Sequence, residues 1–507
     1  MKSKIKRFFD FYARWNPPLI LIYILLFLFS IFISLKLFRF DNDFWFLINT
    51  GKYIINNGFP LIESFTIHSD FSITIQQWLT DIIFYFIYDK FDVYGMLILV
   101  TIINLIITML IYKLCMLISD KRVKLSFIIT ISTSLLFNMF LMTTRPQIFD
   151  ILFLLLEIYL LEIYIKNNNK LYLTILPIIS LLMINLHSSI WLMLFVFLIP
   201  YFIDVIFRFK YCDKDKYSVV PLIITSIIMF IVGFINPYGI EAITYLFNSF
   251  GIESINNFVN EMMPITITSF SGIIIFVYIL ILLYSYYYNK GNKIKLRYLL
   301  LFLGTCYLAL SHSRGVLFLF ISGILLFSYN FKVSFNKEDN INVLYKNKYM
   351  NIFLVSLLFI FIIVYVYMLC NSNINIKEKN KYYLYDLVNY LDSNTNKDIK
   401  VYTGYNDGGY LEYRGYKCYI DPRAEVFLKS NNKKEDILIE YINLQNGILD
   451  YREFLDEYNF DYLVVSEDDL LYNYIRLDDG YEVVYEEEVN QYCFGNNKVI
   501  YRLYKRV

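Results

Sequence analysis

Charge is scarce in this sequence: 18% of its 507 residues are Asp, Glu, Lys or Arg, while 57% are hydrophobic. Soluble domains run at roughly 25% and 45–50%, so an ordinary soluble chain is excluded and a membrane protein becomes the default class. The six cysteines, Cys115, Cys212, Cys306, Cys370, Cys418 and Cys493, form no C-x-x-C or other ligand spacing. Neither a zinc site nor a disulfide framework is indicated, and only Cys418 and Cys493 fall in one segment where a bridge is worth testing. Histidine is limited to three residues. The start, MKSKIKRFFDFYARWNPP, is basic, but the apolar run after it is too long for a signal-peptide core and has no small-residue cleavage site. It reads as a cytoplasmic tail before an uncleaved helix. No internal repeat is visible, and nothing points to nucleic-acid binding.

What the chain does have is apolar runs, near 17–37, 95–117, 126–142, 148–164, 171–186, 190–207, 218–235, 272–288, 298–310, 314–329 and 349–370. Several reach about 20 residues, enough to cross roughly 30 Å of hydrocarbon, and shorter ones tilt or thin the bilayer. Residues 371–507 carry 17 Lys and Arg against 25 Asp and Glu, a net −8, while the preceding 370 carry 29 against 20, a net +9. Alternate connections are basic: the N-terminus, Asp120 to Lys124, Lys166 to Lys170, Arg208 to Lys216, Lys290 to Arg297, and Phe331 to Lys348. The positive-inside rule places these in the cytoplasm. The remaining connections hold DNDFW, TTRPQ, NLHSS, INPYG followed by EMMP, and SHSRG, and therefore all face outward. An odd number of spans sends the C-terminus outward too.

The expected fold is thus an α-helical polytopic membrane protein of about eleven transmembrane helices, residues 1–370, with a small extracytoplasmic α/β domain at 371–507. Two long outer loops, 38–94 and 236–271, contain half-polar helical stretches such as Phe44 to Ile55 and Trp78 to Tyr88, which read as interfacial helices. Beyond residue 371, short strands at Lys400 to Thr403, Lys417 to Ile420 and Tyr462 to Ser466 alternate with helical stretches near 382–391, 433–445 and 450–458. Usage rich in Ile, Asn, Lys and Tyr is what AT-rich coding produces, so the membrane is expected to be a bacterial plasma membrane.

Polar motifs gather on the outer face. Asp41 and Asp43 follow the first span directly; a carboxylate there suits a general base toward an acceptor hydroxyl or amine. The alternative is an acidic start to an interfacial helix, complementing its dipole. A D-x-D pair also makes a divalent cation beside a phosphate possible. Arg145 in TTRPQ precedes Pro146, a residue favoured in a helix's first turn. It suits a lipid phosphate through bidentate hydrogen bonds, or simply snorkels to the interface. Arg314 in SHSRG offers the same choice. His187 and His312 both fall at outer helix ends, where a lone histidine is usually structural, and Glu261 in NEMMP adds a further outer carboxylate. Motifs confined to one face fit chemistry at the outer membrane surface better than transport.

On these residues the chain resembles bacterial members of the polytopic GT-C glycosyltransferase superfamily, the group with protein O-mannosyltransferase-like and lipopolysaccharide glycosyltransferase-like enzymes. The resemblance lies in Asp43-Phe44-Trp45-Phe46 continuing to Gly58, in Arg145-Pro146-Gln147, Asn185-Leu186-His187, Asn236-Pro237-Tyr238-Gly239, Glu261 and Arg314, and in a tail with Gly408-Gly409-Tyr410 and Asp421-Pro422-Arg423-Ala424-Glu425. It implies inverting transfer of a sugar from a polyprenyl-phosphate donor to an extracytoplasmic glycan, lipid or protein acceptor at the bilayer surface. Asp43 would be the base, Asp41 and Glu261 would support the acceptor or a metal, and Arg145, Arg314, His187 and His312 would hold the donor phosphate. Many relatives have Glu directly after the catalytic Asp; here Phe44 stands there and the second acid, Asp41, comes earlier, which leaves metal use open. Tyr402, Tyr405, Tyr410 and Tyr413, near what reads as a Gly-Gly turn, are candidates for positioning a glycan. The rival class is a lipid-linked glycan transporter or non-catalytic assembly scaffold, with a polysaccharide polymerase or ligase as a third reading. Transport would call for ionisable groups near mid-membrane, whereas Glu157 and Glu162 are expected near the cytoplasmic end of their span.

Overall fold

The structure, a computed structural model, describes residues 19–207, 212, 215–249, 253–288, 293–333, 376–491 and 497–507. Ten of the apolar runs fall on described helices, and the last, 349–370, lies outside the described residues. Among the described residues, five helices are long and apolar enough to cross a membrane: Leu19–Leu37, Trp78–Ile118, Val123–Phe140, Ser188–Ile206 and Ser313–Asn330. Others, such as Val219–Val232 and Leu296–Ser311, are apolar but shorter. The described residues do not by themselves make eleven full-length spans.

These segments are helical because hydrocarbon offers no partner for backbone polar groups, so each must be satisfied within its own segment. With little hydrophobic drive between helices in lipid, small polar side chains supply specificity. Asn104 donates to Ser34 Oγ at 2.8 Å and to Asn138 Oδ1 at 3.1 Å, joining three helices. At one end of the bundle Arg297 is buried against Glu162 (2.9 and 3.0 Å), Asp204 (3.0 Å) and Asp215 (2.7 Å). Glu157, expected near a helix end, instead sits at the middle of Gln147–Asn167, fully buried.

Trp78 to Tyr88 is not a separate interfacial helix. It continues into the next span as one element, Trp78–Ile118, broken at Asp92 (φ 54°, ψ −153°). Asp92 Oδ1 accepts the Val93 N–H at 2.8 Å, satisfying a backbone donor that the break frees. Phe44–Asn57 is a helix as expected, with its first turns in the core, where Phe44, Trp45, Phe46, Leu47 and Ile48 are all buried, and its last turn exposed at Ile55, Asn56 and Asn57. It lies so close to the start of Trp78–Ile118 that a Cβ on Gly51 would meet the Asp81 carbonyl oxygen at 2.1 Å.

The C-terminal region forms a five-stranded sheet of order β2-β1-β3-β5-β4. β1 (Lys400–Tyr402), β2 (Lys417–Cys418) and β3 (Tyr462–Ser466) are parallel, and β4 (Tyr481–Gln491) and β5 (Asn497–Arg506) form an antiparallel pair on β3. The β4–β5 pair was not among the expected strands. The central strands read as continuous apolar runs because they are covered on both faces; Leu463, Val464 and Val465 are fully buried. Cys418, on β2, is a buried free thiol, and Cys493 lies outside the described residues.

Gly408 and Gly409 do not make a turn but begin a short helix, Gly408–Tyr413, and a Cβ on Gly408 would meet the Ile420 carbonyl oxygen at 1.9 Å. This helix packs on Phe44–Asn57, with the Trp45 ring 4.8 Å from Tyr410 and 5.3 Å from Tyr413. The first long loop also grips the C-terminal region: Ile67 N–H donates to the Cys418 carbonyl on edge strand β2 at 3.0 Å, and Ser72 N–H to the carbonyl of Asn432, at the end of the short helix Lys429–Asn432, at 3.2 Å. The sheet therefore sits directly over the loop that carries Asp41 and Asp43.

Candidate active site

Between the helix ends and the sheet lies a cavity of about 800 Å³, lined among others by Asp41, Asp43, Arg145, His187, Glu261 and Arg314. Six of the seven residues singled out in the sequence thus share one wall system, although they come from five separate connections. His312 is the exception: it is not among the lining residues.

Asp43 directly precedes the helix Phe44–Asn57, and its carboxylate makes no cap bond to that helix. Its carboxylate turns instead to Arg145, with Nη2 3.1 Å from Asp43 Oδ2 and 2.7 Å from Asp41 Oδ1. Asp41 is held in place by its N–H, which donates to Thr144 Oγ1 at 3.2 Å, and its Oδ1 accepts the Asp43 N–H at 3.3 Å. The other arm of the guanidinium, Nη1, meets Glu261, whose second oxygen takes Arg314 Nε at 3.2 Å. Arg145 is therefore no free interfacial anchor. Its side chain is 16% exposed and bridges three carboxylates. The turn carrying Glu261, Asn260–Met262, is pinned in turn to Ser313: Ser313 N–H donates to the Met263 carbonyl at 3.0 Å and Oγ to the Glu261 carbonyl at 2.9 Å.

Electrostatics separate the carboxylates. Burial pushes Asp43 up from 3.8 to about 7; Arg145 works against that, while Asp41 and Glu261 add to it. For Glu261, burial also acts upward, but the two guanidiniums overcome it and hold the group at about 2. Burial opposes the charge on Arg145, and Asp41, Asp43 and Glu261 more than restore it. One carboxyl thus titrates near neutrality beside a permanent ion pair, the pattern that marks an acid–base group among its supports.

His187 comes to the cavity through a partner that sequence reading missed. Its Nδ1 is 2.6 Å from Asp150 Oδ2; a carboxylate only accepts, so Nδ1 carries the hydrogen and Nε2 is the nitrogen left to act elsewhere. The signal was present, since Asp150 falls in the first turn of the helix after Pro146. The tail motif Asp421-Pro422-Arg423 also has a clear task. Arg423 Nε donates to Asp421 at 2.9 Å and its two Nη atoms to Glu63 at 2.9 and 3.2 Å, clamping the C-terminal region onto the first loop. Of the four tyrosines, Tyr405 lines the cavity, Tyr410 and Tyr413 pack on Trp45, and Tyr402 is buried in the sheet core.

Asp41, Asp43 and Glu261 are the oxygen ligands a divalent cation would take, but all three are spent on the Arg145 guanidinium. Among the described residues no group of three His, Cys, Asp or Glu side chains is placed to hold a metal ion. The donor set does not fit a resident metal.

No protein-family model and no curated protein matches the chain. Solved structures do. The Archaeoglobus fulgidus oligosaccharyltransferase, tethered by a disulfide to an acceptor peptide with the NVT sequon, superposes with a TM-score of 0.50 at 14% identity, over 88% of this chain and 69% of that one. The same enzyme in complex with Zn and sulfate gives 0.52 at 11% identity, over 87% and 67%. At such identities the likeness is one of fold alone: the chain shares the architecture of that oligosaccharyltransferase.

Proposed function

We propose that this protein is a membrane glycosyltransferase that moves a sugar from a polyprenyl-phosphate donor to an acceptor on the extracytoplasmic side of a bacterial plasma membrane. On this reading residues 1–370 are the GT-C-like membrane domain and 371–507 the outer α/β domain. The observation that carries it is Asp43, a carboxyl held at about 7 in a cavity it shares with Arg145 and Arg314. A group titrating there accepts a proton at working pH without being permanently protonated.

The acceptor hydroxyl or amine attacks the anomeric carbon as Asp43 takes its proton, and the bond from that carbon to the phosphate oxygen breaks. The electron pair leaves with polyprenyl phosphate, whose charge Arg145 and Arg314 meet. A single displacement of this kind inverts the anomeric centre. Glu261, now bridging the two guanidiniums, stands where the donor phosphate binds and is displaced from Arg314 when it arrives. His187, fixed by Asp150, orients the phosphate or the sugar. Fold likeness alone does not license this chemistry.

Asp43→Asn tests it: the amide keeps the shape but accepts no proton. Protein in liposomes given labelled polyprenyl-phosphate sugar should bind the donor and release no polyprenyl phosphate. Full turnover by Asp43→Asn would remove the base and leave the scaffold or transporter reading.

A further inference from the structure

The cavity extends well past Asp43, over the sheet. β1 leads through the helix Gly408–Tyr413 to β2 on one side, while β3 lies on the other side of β1, all three parallel. The chain therefore leaves the carboxyl ends of β1 and β3 in opposite directions, and such a switch point opens a crevice where parallel-sheet proteins bind ligands. Both departing segments line this same cavity: Gly404 to Asp407 after β1, and Ser466, Asp468 and Asp469 after β3.

The crevice differs chemically from the Asp43 end. Its acids are fixed by neutral donors: Asp469 accepts Gln445 Nε2 at 2.9 Å, Tyr402 hydroxyl at 2.9 Å and the Leu471 N–H at 2.8 Å. Asp407 accepts the hydroxyls of Tyr382, Tyr383 and Tyr501. Each carboxylate has about four acceptor positions, so each keeps single places for a hydroxyl rather than a bare oxygen pair for a cation. Asp468 is exposed, and Ser466 is half-buried at the same rim. Among the residues lining the cavity, the one guanidinium from the C-terminal region is that of Arg423, and it is neutralised by Asp421 and Glu63. A phosphate finds no counter-charge here and meets carboxylates instead.

We propose that the crevice at the carboxyl ends of β1 and β3 binds the sugar units of an acceptor glycan. The donor phosphate and the acceptor then approach Asp43 from opposite ends of one cavity, the phosphate at the end that carries Arg145 and Arg314. The carboxylates of Asp407 and Asp469, held by their tyrosine and glutamine donors, form a fixed set of acceptors on the cavity wall. The proposal rests on the glycosyltransferase reading and specifies its acceptor as a saccharide, not a peptide.

The test uses full-length protein in nanodiscs with a neutral tetrasaccharide of hexoses and no donor, binding being read by saturation-transfer NMR and calorimetry. Asp468→Ala and Ser466→Ala should each weaken binding about fivefold, the loss of one hydrogen bond. Arg145→Ala, at the other end, should leave tetrasaccharide affinity within about twofold while losing donor binding. Parent-like affinity in both crevice variants, or displacement of the tetrasaccharide by a tetrapeptide, would overturn the assignment. Failure of the parent to turn over donor while it binds the tetrasaccharide would sink only the transferase reading.

Discussion

If Asp43 is the base, turnover must follow its ionisation. Burial raises the group from 3.8 to about 7, and only the ionised form accepts a proton. At that value about one molecule in eleven is ionised at pH 6 and about ten in eleven at pH 8, so kcat/KM should rise roughly tenfold between them. The rise runs upward with pH and is lost as pH falls through 7. Arg145, 3.1 Å from Asp43 Oδ2, is the principal force holding the value down, so Arg145→Lys, with a single ammonium in place of the fork, should shift the inflection to higher pH as well as lower the plateau. Linkage has the opposite sign: a carboxyl raised on folding contributes stability that is full below about 4 and disappears as pH rises through about 7. The assay is donor turnover by protein in liposomes, from pH 5 to 9 at constant ionic strength. A flat profile between pH 6 and 8, or an inflection near 4 in the parent, would place Asp43 among ordinary carboxylates and refute the assignment.

Removing the guanidinium should expose what it now fills. In Arg145→Ala, Asp41, Asp43 and Glu261 are left facing one another, and the variant should gain a Mn²⁺ site visible by EPR that the parent lacks; no gain would mean the three carboxylates do not converge as the ion pairs imply. Arg423→Met leaves Glu63 and Asp421 buried without a counter-charge and should cost roughly 3–5 kcal/mol in unfolding of the solubilised protein, partly recovered by adding Glu63→Gln. Reporter fusions within Lys166 to Lys170 and after Val507 should read inside and outside respectively. An inside C-terminus would break the one-face topology.

Apolar periodicity reaches most of this fold because lipid and core both reward it locally: the runs at 126–142 and 190–207 became Val123–Phe140 and Ser188–Ile206 with shifts of only a few residues. It fails where tertiary contact decides. The half-polar stretch after Trp78 looked like a surface helix, but Thr80, Asp81 and Phe84 are buried under Phe44–Asn57, and composition does not reveal which side of a helix a distant loop will cover. β4 and β5 escaped notice because YEVVYEEEVNQ holds four acids. Such a strand is an edge, with charge suppressing further pairing, and its identity comes from β5.

The site divides along the same line. Asp43, Arg145 and Arg314 were legible as residues, since a charge at a helix end in an apolar chain needs a reason. Their pairing was not, because charge pairs in sequence announce themselves only at helical spacing, and the partners here are distant: Arg145 meets Glu261 116 positions away, and Arg423 meets Glu63 360 positions away. That distance has a chemical consequence. A phosphate-binding reading of Arg145 taken from sequence treats it as a free cation, whereas in the fold its charge is outnumbered by Asp41, Asp43 and Glu261. An anionic donor therefore cannot simply add to the site; it must exchange with an internal anion. Glu261 is the one to exchange, since its carboxylate alone spans both guanidiniums, whereas Asp41 is fixed through Thr144 and Asp43. Once Glu261 leaves, Arg314 and one edge of Arg145 are open to the phosphate, whose negative charge takes the place of the Glu261 carboxylate near Asp43. Donor binding thus exchanges one anion for another at the two guanidiniums, and the pH at which Asp43 ionises carries over from the free protein to the complex.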